Sequence, residues 1–227
     1  MIRPTLIILG IAIASLPAMA APTASQLGTS KNTVQIQTAL SGNGVAFRET
    51  NLGNLIADAV RQTGHAQVAL VPADEIDGGA QIAAGKSEIG TIVSTLVYES
   101  DPSDTVVILN LTGAQLRKVA ERSVSRAPQP FDGFLQVSGL NIRYTLSAAE
   151  GKRVTGVSVG GSEVSAGQTY RVAVTRPLAG GSLGYFQILS QKDIAEDTGV
   201  PISKSLDNYL TAHPIVNSVI EDRITAH

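Results

Sequence analysis

The chain of 227 residues contains no cysteine and no tryptophan. Without cysteine no disulfide can brace it and no lipid anchor can be attached through a thiol, so its stability rests on its core. Aromatic residues are few, five Tyr and four Phe, which leaves little flat surface for stacking on bases. There is no excess of positive charge: 17 basic against 19 acidic residues give a net charge of −2, which argues against a general nucleic-acid binder. The 22 glycines show no collagen-like period. What remains, 43% apolar and 16% charged residues, fits a globular protein and excludes a disordered chain or a coiled coil.

The first twenty residues have the order of a secretory signal peptide. Arg3 supplies the positive start, an apolar run extends from Leu6 to Leu16, and Ala18-Met19-Ala20 offers the small-x-small cleavage site. That run is too short for a membrane span, and no later stretch is long enough, so no span is expected after cleavage. A periplasmic location is expected, with secretion as the alternative. Residues 21–32 are small and polar and read as a flexible leader; 33–227 read as one domain with no internal repeat or linker.

Thr50 is placed to cap a helix that buries Leu52, Leu55, Ile56, Ala59 and Val60 and ends at Gly64. Thr112 is placed to cap a second helix from Gly113 to Ser125, and Ser203 a short third through Leu210, before Pro214. Strands are expected at Ala66–Val71, Thr105–Leu111, Phe134–Val137, Asn141–Leu146, Val154–Val159 and Tyr170–Thr175. Helices dominate the first half of this reading and short strands the middle. That irregular order predicts an α+β fold with mixed β-sheets and flanking helices, not a doubly wound one.

Several catalytic patterns fail on spacing. Gly79 and Gly85-Lys86-Ser87 mimic a phosphate loop, but five residues separate the glycines where convergent backbone N–H groups require four; a turn and a helix start are expected there. Gly180-Gly181-Ser182-Leu183-Gly184 matches a nucleophile elbow in letters, yet Pro177 and glycines precede it where a strand is needed, so it reads as a glycine-rich turn. The histidines, His65, His213 and His227, are scattered and form no dinuclear metal motif. Lys118, Arg122 and Arg126, with Arg117 nearby, read as a solvated helix face or as an anion patch.

Six ordered stretches carry a family resemblance. Glu49-Thr50-Asn51-Leu52-Gly53-Asn54-Leu55-Ile56-Ala57-Asp58-Ala59-Val60-Arg61 resembles the opening of the C-terminal domain of the 5′-nucleotidase / UDP-sugar hydrolase family. Ala69-Leu70-Val71, Leu111-Thr112-Gly113-Ala114-Gln115-Leu116, Phe134-Leu135-Gln136-Val137-Ser138-Gly139-Leu140, Gly167-Gln168-Thr169-Tyr170-Arg171-Val172-Ala173 and Asp197-Thr198-Gly199-Val200-Pro201 follow in the family's order. The resemblance implies the domain that binds the nucleoside and carries it to two metal ions on a separate N-terminal metallophosphoesterase domain. Only the binding half is expected here.

The positions that would hold a nucleotide depart from the family pattern. The family's Asn-Gly-Gly-Gly-Ile-Arg loop aligns with a segment that puts Asp77 in the arginine slot. Its base-stacking phenylalanine, in Pro-Phe-Gly-Asn, aligns with Pro102 and the following asparagine with Asp104; the second ring aligns with Pro177. In the Gly-Gly-Asp-Gly-Tyr motif Leu183 stands at the aspartate and Tyr185 at the tyrosine, and Arg48 is displaced towards the Glu-Thr pair. The two altered loops, with Asp74, Glu75 and Asp77 on one and Asp101, Asp104 and nearby Glu99 on the other, are expected to line one cleft of negative potential.

The resemblance therefore implies a non-catalytic binding or interaction module with a degenerate nucleotide pocket, no catalytic residue, no metal and no cofactor. The alternative is the substrate-binding half of a split hydrolase. The expected partner is a metallophosphoesterase chain or another periplasmic protein, and no nucleic acid.

Overall fold

The computed structural model describes residues 32–227. The signal peptide and all but the last residue of the leader lie outside the described residues.

The centre is a five-stranded mixed sheet in the order β12 (Ile194–Pro201), β6 (Thr105–Thr112), β11 (Thr169–Thr175), β3 (Val68–Pro72) and β7 (Leu135–Ser138). β11 runs parallel to β3, with Ala173 opposite Ala69, and antiparallel to β6, with Ala173 opposite Ile108. Every residue of β3 is buried, and so are Thr105–Leu109 of β6. Strands covered on both faces need continuous apolar runs, and Ala69-Leu70-Val71 and Val106-Val107-Ile108-Leu109 supply them.

Helix α1 (Asn51–Thr63) packs on β3 and β7 and beside α5 (Ile202–Ala212). Its start is fixed by Thr50, whose side chain accepts the Gly53 N–H at 3.0 Å. Helix α3 (Gly113–Ser123) begins with a full capping box: Thr112 accepts the Gln115 N–H, and the Gln115 side chain accepts the Thr112 N–H. Two short helices, α2 (Ile89–Val93) and α4 (Arg176–Ala179), complete the helical layer.

A second sheet has the order β10 (Ser162–Glu163), β9 (Val154–Val159), β8 (Leu140–Tyr144) and β14 (Ile224–Ala226). Smaller sheets join β13 (Ile215–Val216), β1 (Thr33–Ile36) and β5 (Gly85–Glu88), and β2 (Leu40–Ser41) with β4 (Gln81–Ile82). The C-terminal segment is pinned by buried Glu49, whose carboxylate accepts the backbone N–H groups of Glu221 and Arg223, both at 2.7 Å. Arg223 in turn reaches Asp58 with both terminal nitrogens, at 2.9 and 3.0 Å.

The α+β class with mixed sheets is the one expected, but four local expectations are corrected. The first half is not dominated by helices, since β1 to β6 all lie in it. Ser203 does not cap α5: the helix starts one residue earlier, behind Pro201, and has no side-chain cap. Lys86-Ser87 begin no helix but lie within β5, paired with β1. α3 ends at Ser123, so Arg126 lies beyond the helix face it was placed on. Among the described residues no helix is long and apolar enough to cross a membrane.

Candidate functional site: an acidic cleft at one end of the central sheet

Because β11 is parallel to β3 while β6 and β7 run the other way, the ends of β3 and β11 and the starts of β6 and β7 fall at the same edge of the sheet. Each continues into a loop that carries acid or its partners. Asp74 and Glu75 follow β3, Asp104 precedes β6, Asp132 precedes β7, and Thr175 closes β11. Backbone bonds stitch the loops together. The Asp74 N–H donates to the Asp132 carbonyl at 3.1 Å, the Ala73 N–H to Phe134 at 2.8 Å, and the Val97 N–H to the Glu75 carbonyl at 2.9 Å. This brings Tyr98, half exposed, to the rim.

Glu75 is 2% exposed and Asp104 5% exposed, so the floor of the cleft holds two carboxyl groups nearly out of water. Burial, the Asp104 charge and a hydrogen bond to Asp104 push the Glu75 carboxyl up to about 9. Burial raises the Asp104 carboxyl too, against the lowering pull of its hydrogen bond to Glu75 and of Arg176, and Glu75 holds its proton at neutral pH. Thr175 also hydrogen-bonds Glu75, while its oxygen accepts the Leu178 N–H at 3.4 Å. Burial, with Asp132 and Asp104 next, pushes Asp74 up to about 6. Asp74 chiefly, then burial and the other carboxyls, raises the Tyr98 hydroxyl.

No Lys or Arg among the described residues forms an ion pair with Asp74, Glu75, Asp104 or Asp132. Arg176 acts on Asp104 through its backbone N–H and its charge, while its guanidinium pairs with Asp197 and donates to Thr105 Oγ1 at 3.1 Å.

The residues singled out in the sequence occupy different places. Asp104 joins Asp74 and Glu75, as the two-loop cleft requires. Asp77 does not: its Oδ1 accepts the Gly79 N–H at 2.8 Å, so the carboxylate closes its own turn. Pro102 is exposed in a turn held by Asp101, whose Oδ1 accepts from the Ser103 backbone and hydroxyl, which also holds the Asp101 carboxyl below its usual range. Pro177 is exposed in the first turn of α4. Arg48 is exposed and donates twice to the Asn43 carbonyl.

Tyr185 is fully buried; its hydroxyl donates to the Gly133 carbonyl at 2.7 Å, and burial raises its pKa. It wedges the glycine-rich turn against the Asp132 loop. Leu183 sits at φ 56° and turns its carbonyl to Arg122, which donates from Nε and Nη2 at 3.1 and 2.7 Å. Arg122 also lies 4.5 Å from the centre of the Phe131 ring. It is thus no solvated arginine but the tie between α3, the Leu183 turn and the Asp132 loop.

Asp132, Tyr98, Thr175 and the Arg122–Phe131 contact are not legible in the sequence. The one available signal is the turn-like Gln129-Pro130-Phe131-Asp132-Gly133 ahead of an apolar strand. Two further concavities, of about 430 and 420 Å³, share Asp58 and Arg61. The charges there are largely matched within the protein: Asp58 takes Arg223 and the Ser138 hydroxyl, and Arg61 Nε donates to Ser138.

A mixed sheet flanked by helices, with acidic loops gathered at one end of its strands, defines an α+β domain. The family model for the C-terminal domain of 5′-nucleotidase matches residues 26–191, and the chain belongs to that family. Relatives include a trifunctional nucleotide phosphoesterase of Bacillus subtilis, 29% identical over 164 residues, which are 68% of this chain and 11% of that one. Human 5′-nucleotidase is 28% identical over 203 residues, covering 81% and 34% respectively. Among solved structures, a 5′-nucleotidase precursor from Thermus thermophilus superposes with a TM-score of 0.77 at 30% identity, over 87% of this chain and 40% of that one. The NAD nucleotidase of Haemophilus influenzae, at 17% identity and a TM-score of 0.71 over 85% and 37%, shares the fold. The chain spans about a tenth to a third of the length of these curated relatives.

Proposed function

We propose that this domain is a non-catalytic periplasmic binding module whose cleft has exchanged nucleotide binding for an acidic site. The observation that carries the reading is the gathering of Asp74, Glu75, Asp104 and Asp132 at the strand ends, where Arg176 acts on Asp104 but no Lys or Arg among the described residues forms an ion pair with any of the four. Carboxylates gathered at this edge oppose a phosphate group. The positions that the family resemblance assigns to stacking rings hold Pro102 and Pro177. Aromatic stacking contributes about 1–3 kcal/mol per base, so their loss removes much of the affinity for a nucleoside.

A split hydrolase with a separate metallophosphoesterase chain would need this cleft to grip a phosphorylated substrate, and the same carboxyls oppose that. The purified protein, supplied with Mn²⁺, Co²⁺ or Zn²⁺, is expected to release no phosphate from AMP or UDP-glucose. Turnover of either would contradict the reading. So would a thermal upshift with AMP, because a ligand at 100 times its dissociation constant adds about 2.7 kcal/mol to stability.

A further inference from the structure

A recess lies at the opposite end of the central sheet from the acidic loops, where β7 ends and β8 begins. This concavity of about 430 Å³ is walled by the last turns of α1, the β7–β8 turn, the β9–β10 hairpin and the segment ahead of β14. Two arginines reach it, and only one is neutralised. Arg223, 8% exposed, pairs with Asp58 at 2.9 and 3.0 Å and with Glu221 at 2.7 Å. Arg61 is exposed on α1 and donates from Nε to the Ser138 hydroxyl at 2.7 Å. Among the described residues no acid pairs with Arg61, and its two terminal nitrogens make no hydrogen bond.

Arg61 is nevertheless held in place. The Ser138 hydroxyl donates to Asp58 Oδ1 at 2.5 Å, and Asp58 is fixed by Arg223, so three linked side chains orient the Arg61 guanidinium. Gly139, at φ 69°, lets the Arg61 stem lie across the turn: a Cβ there would stand 3.2 Å from the Arg61 Cδ. A guanidinium already oriented loses less rotamer entropy when it grips a ligand.

The surroundings select the ligand. A planar fork with two free nitrogens matches the two oxygens of a carboxylate. Asp58 and Glu221 offset the charges of Arg61 and Arg223, so the recess suits a monoanion better than a phosphate dianion. Asn141, exposed in β8, adds an amide that makes no side-chain hydrogen bond among the described residues. Gly160 and Gly161 of the hairpin wall the recess with bare backbone, since nothing stands within 4 Å of where either Cβ would be. The neighbouring concavity that shares Arg61 is lined by the C-terminal ends of α1 and α5, whose carbonyls favour cations, which leaves an anion to the first.

We propose that this recess binds a carboxylate, gripped by the two terminal nitrogens of Arg61 with the Asn141 amide and the glycine hairpin beside it. A small free acid and the C-terminal carboxylate of a peptide present the same group, and the test separates them. The site is remote from the acidic loops, and its test does not depend on them.

The test is a ¹H–¹⁵N NMR titration of the intact protein at pH 7.0, read at the Gly160, Gly161 and Asn141 amides. The probes are acetate and acetyl-Gly-Gly with a free C-terminus; acetyl-Gly-Gly-amide and inorganic phosphate are the comparators. Saturable shifts are expected with a carboxylate probe in the low millimolar range or below, and none with the amide. Equal affinities identify the carboxylate of a small acid, and a preference for acetyl-Gly-Gly identifies a peptide C-terminus. Arg61→Lys keeps the charge without the fork and is expected to weaken binding about tenfold, and Arg61→Gln to abolish it. Lys118→Gln, at an exposed position on α3, should leave it unchanged. Absence of saturable shifts with both acids, equal binding of the amide, tighter binding of phosphate than of either acid, or unchanged affinity in Arg61→Gln would overturn the proposal.

Discussion

Glu75 supplies the sharpest prediction about stability. In the unfolded chain its carboxyl ionises near 4.5; in the fold, burial and Asp104 hold the proton to about 9. Between those values the folded protein binds one more proton than the unfolded chain, so stability falls as pH rises. The slope approaches 1.4 kcal/mol per pH unit for a whole proton. From pH 5 to pH 8 the loss is therefore expected at about 2–4 kcal/mol. Asp74, raised to about 6, acts with the same sign at the acidic end of that window.

Glu75→Gln is the matching perturbation. The amide is a permanent copy of the protonated acid: its NH₂ donates to Asp104 and its oxygen accepts from Thr175. The variant is expected to match the parent protein at pH 5 within about 1 kcal/mol and to exceed it at pH 8 by about 2–4 kcal/mol. Urea denaturation followed by circular dichroism suits a chain without tryptophan. A parent protein as stable at pH 8 as at pH 5, or a Glu75→Gln curve parallel to it, would refute the protonated Glu75.

Three further substitutions probe the frame that carries the cleft. Thr112→Ala removes half of the α3 capping box and should cost about 0.5–2 kcal/mol; an unchanged denaturation midpoint would contradict the cap. Gly53→Ala would place a methyl 2.3 Å from the Oε1 of fully buried Gln136, which also accepts the Thr50 N–H at 2.9 Å. Overpacking there should cost about 1–3 kcal/mol or more, read from the same urea curves. Arg223→Ala leaves Asp58 without its two-pronged partner and should cost about 3–5 kcal/mol, with faster amide exchange in β14 as the local sign.

The helical frame is legible in the sequence because its signals are local. Thr50 and Thr112 cap within three residues, and the apolar runs of β3 and β6 need only the chain around them. The small sheets are not, since segments of two to four residues such as β2, β4 and β13 carry no measurable period. Ser203 misleads because a residue of capping type sits one position inside a helix that Pro201 already begins. At the site, Asp74, Glu75 and Asp104 can be named from two loops. Asp132 cannot, because it joins them only through the pairing of β3 with β7. Arg122 looks like surface charge in the sequence because its partner, the Leu183 carbonyl, is aimed by a left-handed residue 61 positions away. Asp77 shows the converse: a residue in the right loop withdrawn from the cleft by a hydrogen bond two residues long.

The central claim is that a domain of the 5′-nucleotidase family has given up the nucleotide at this cleft. Isothermal titration of AMP into the purified protein at pH 7.5 tests it most directly. The account predicts no binding heat up to millimolar AMP, and none for adenosine. Micromolar AMP binding that is lost on changing Asp104 would contradict it, because the nucleotide would then occupy the very carboxyls that should repel it.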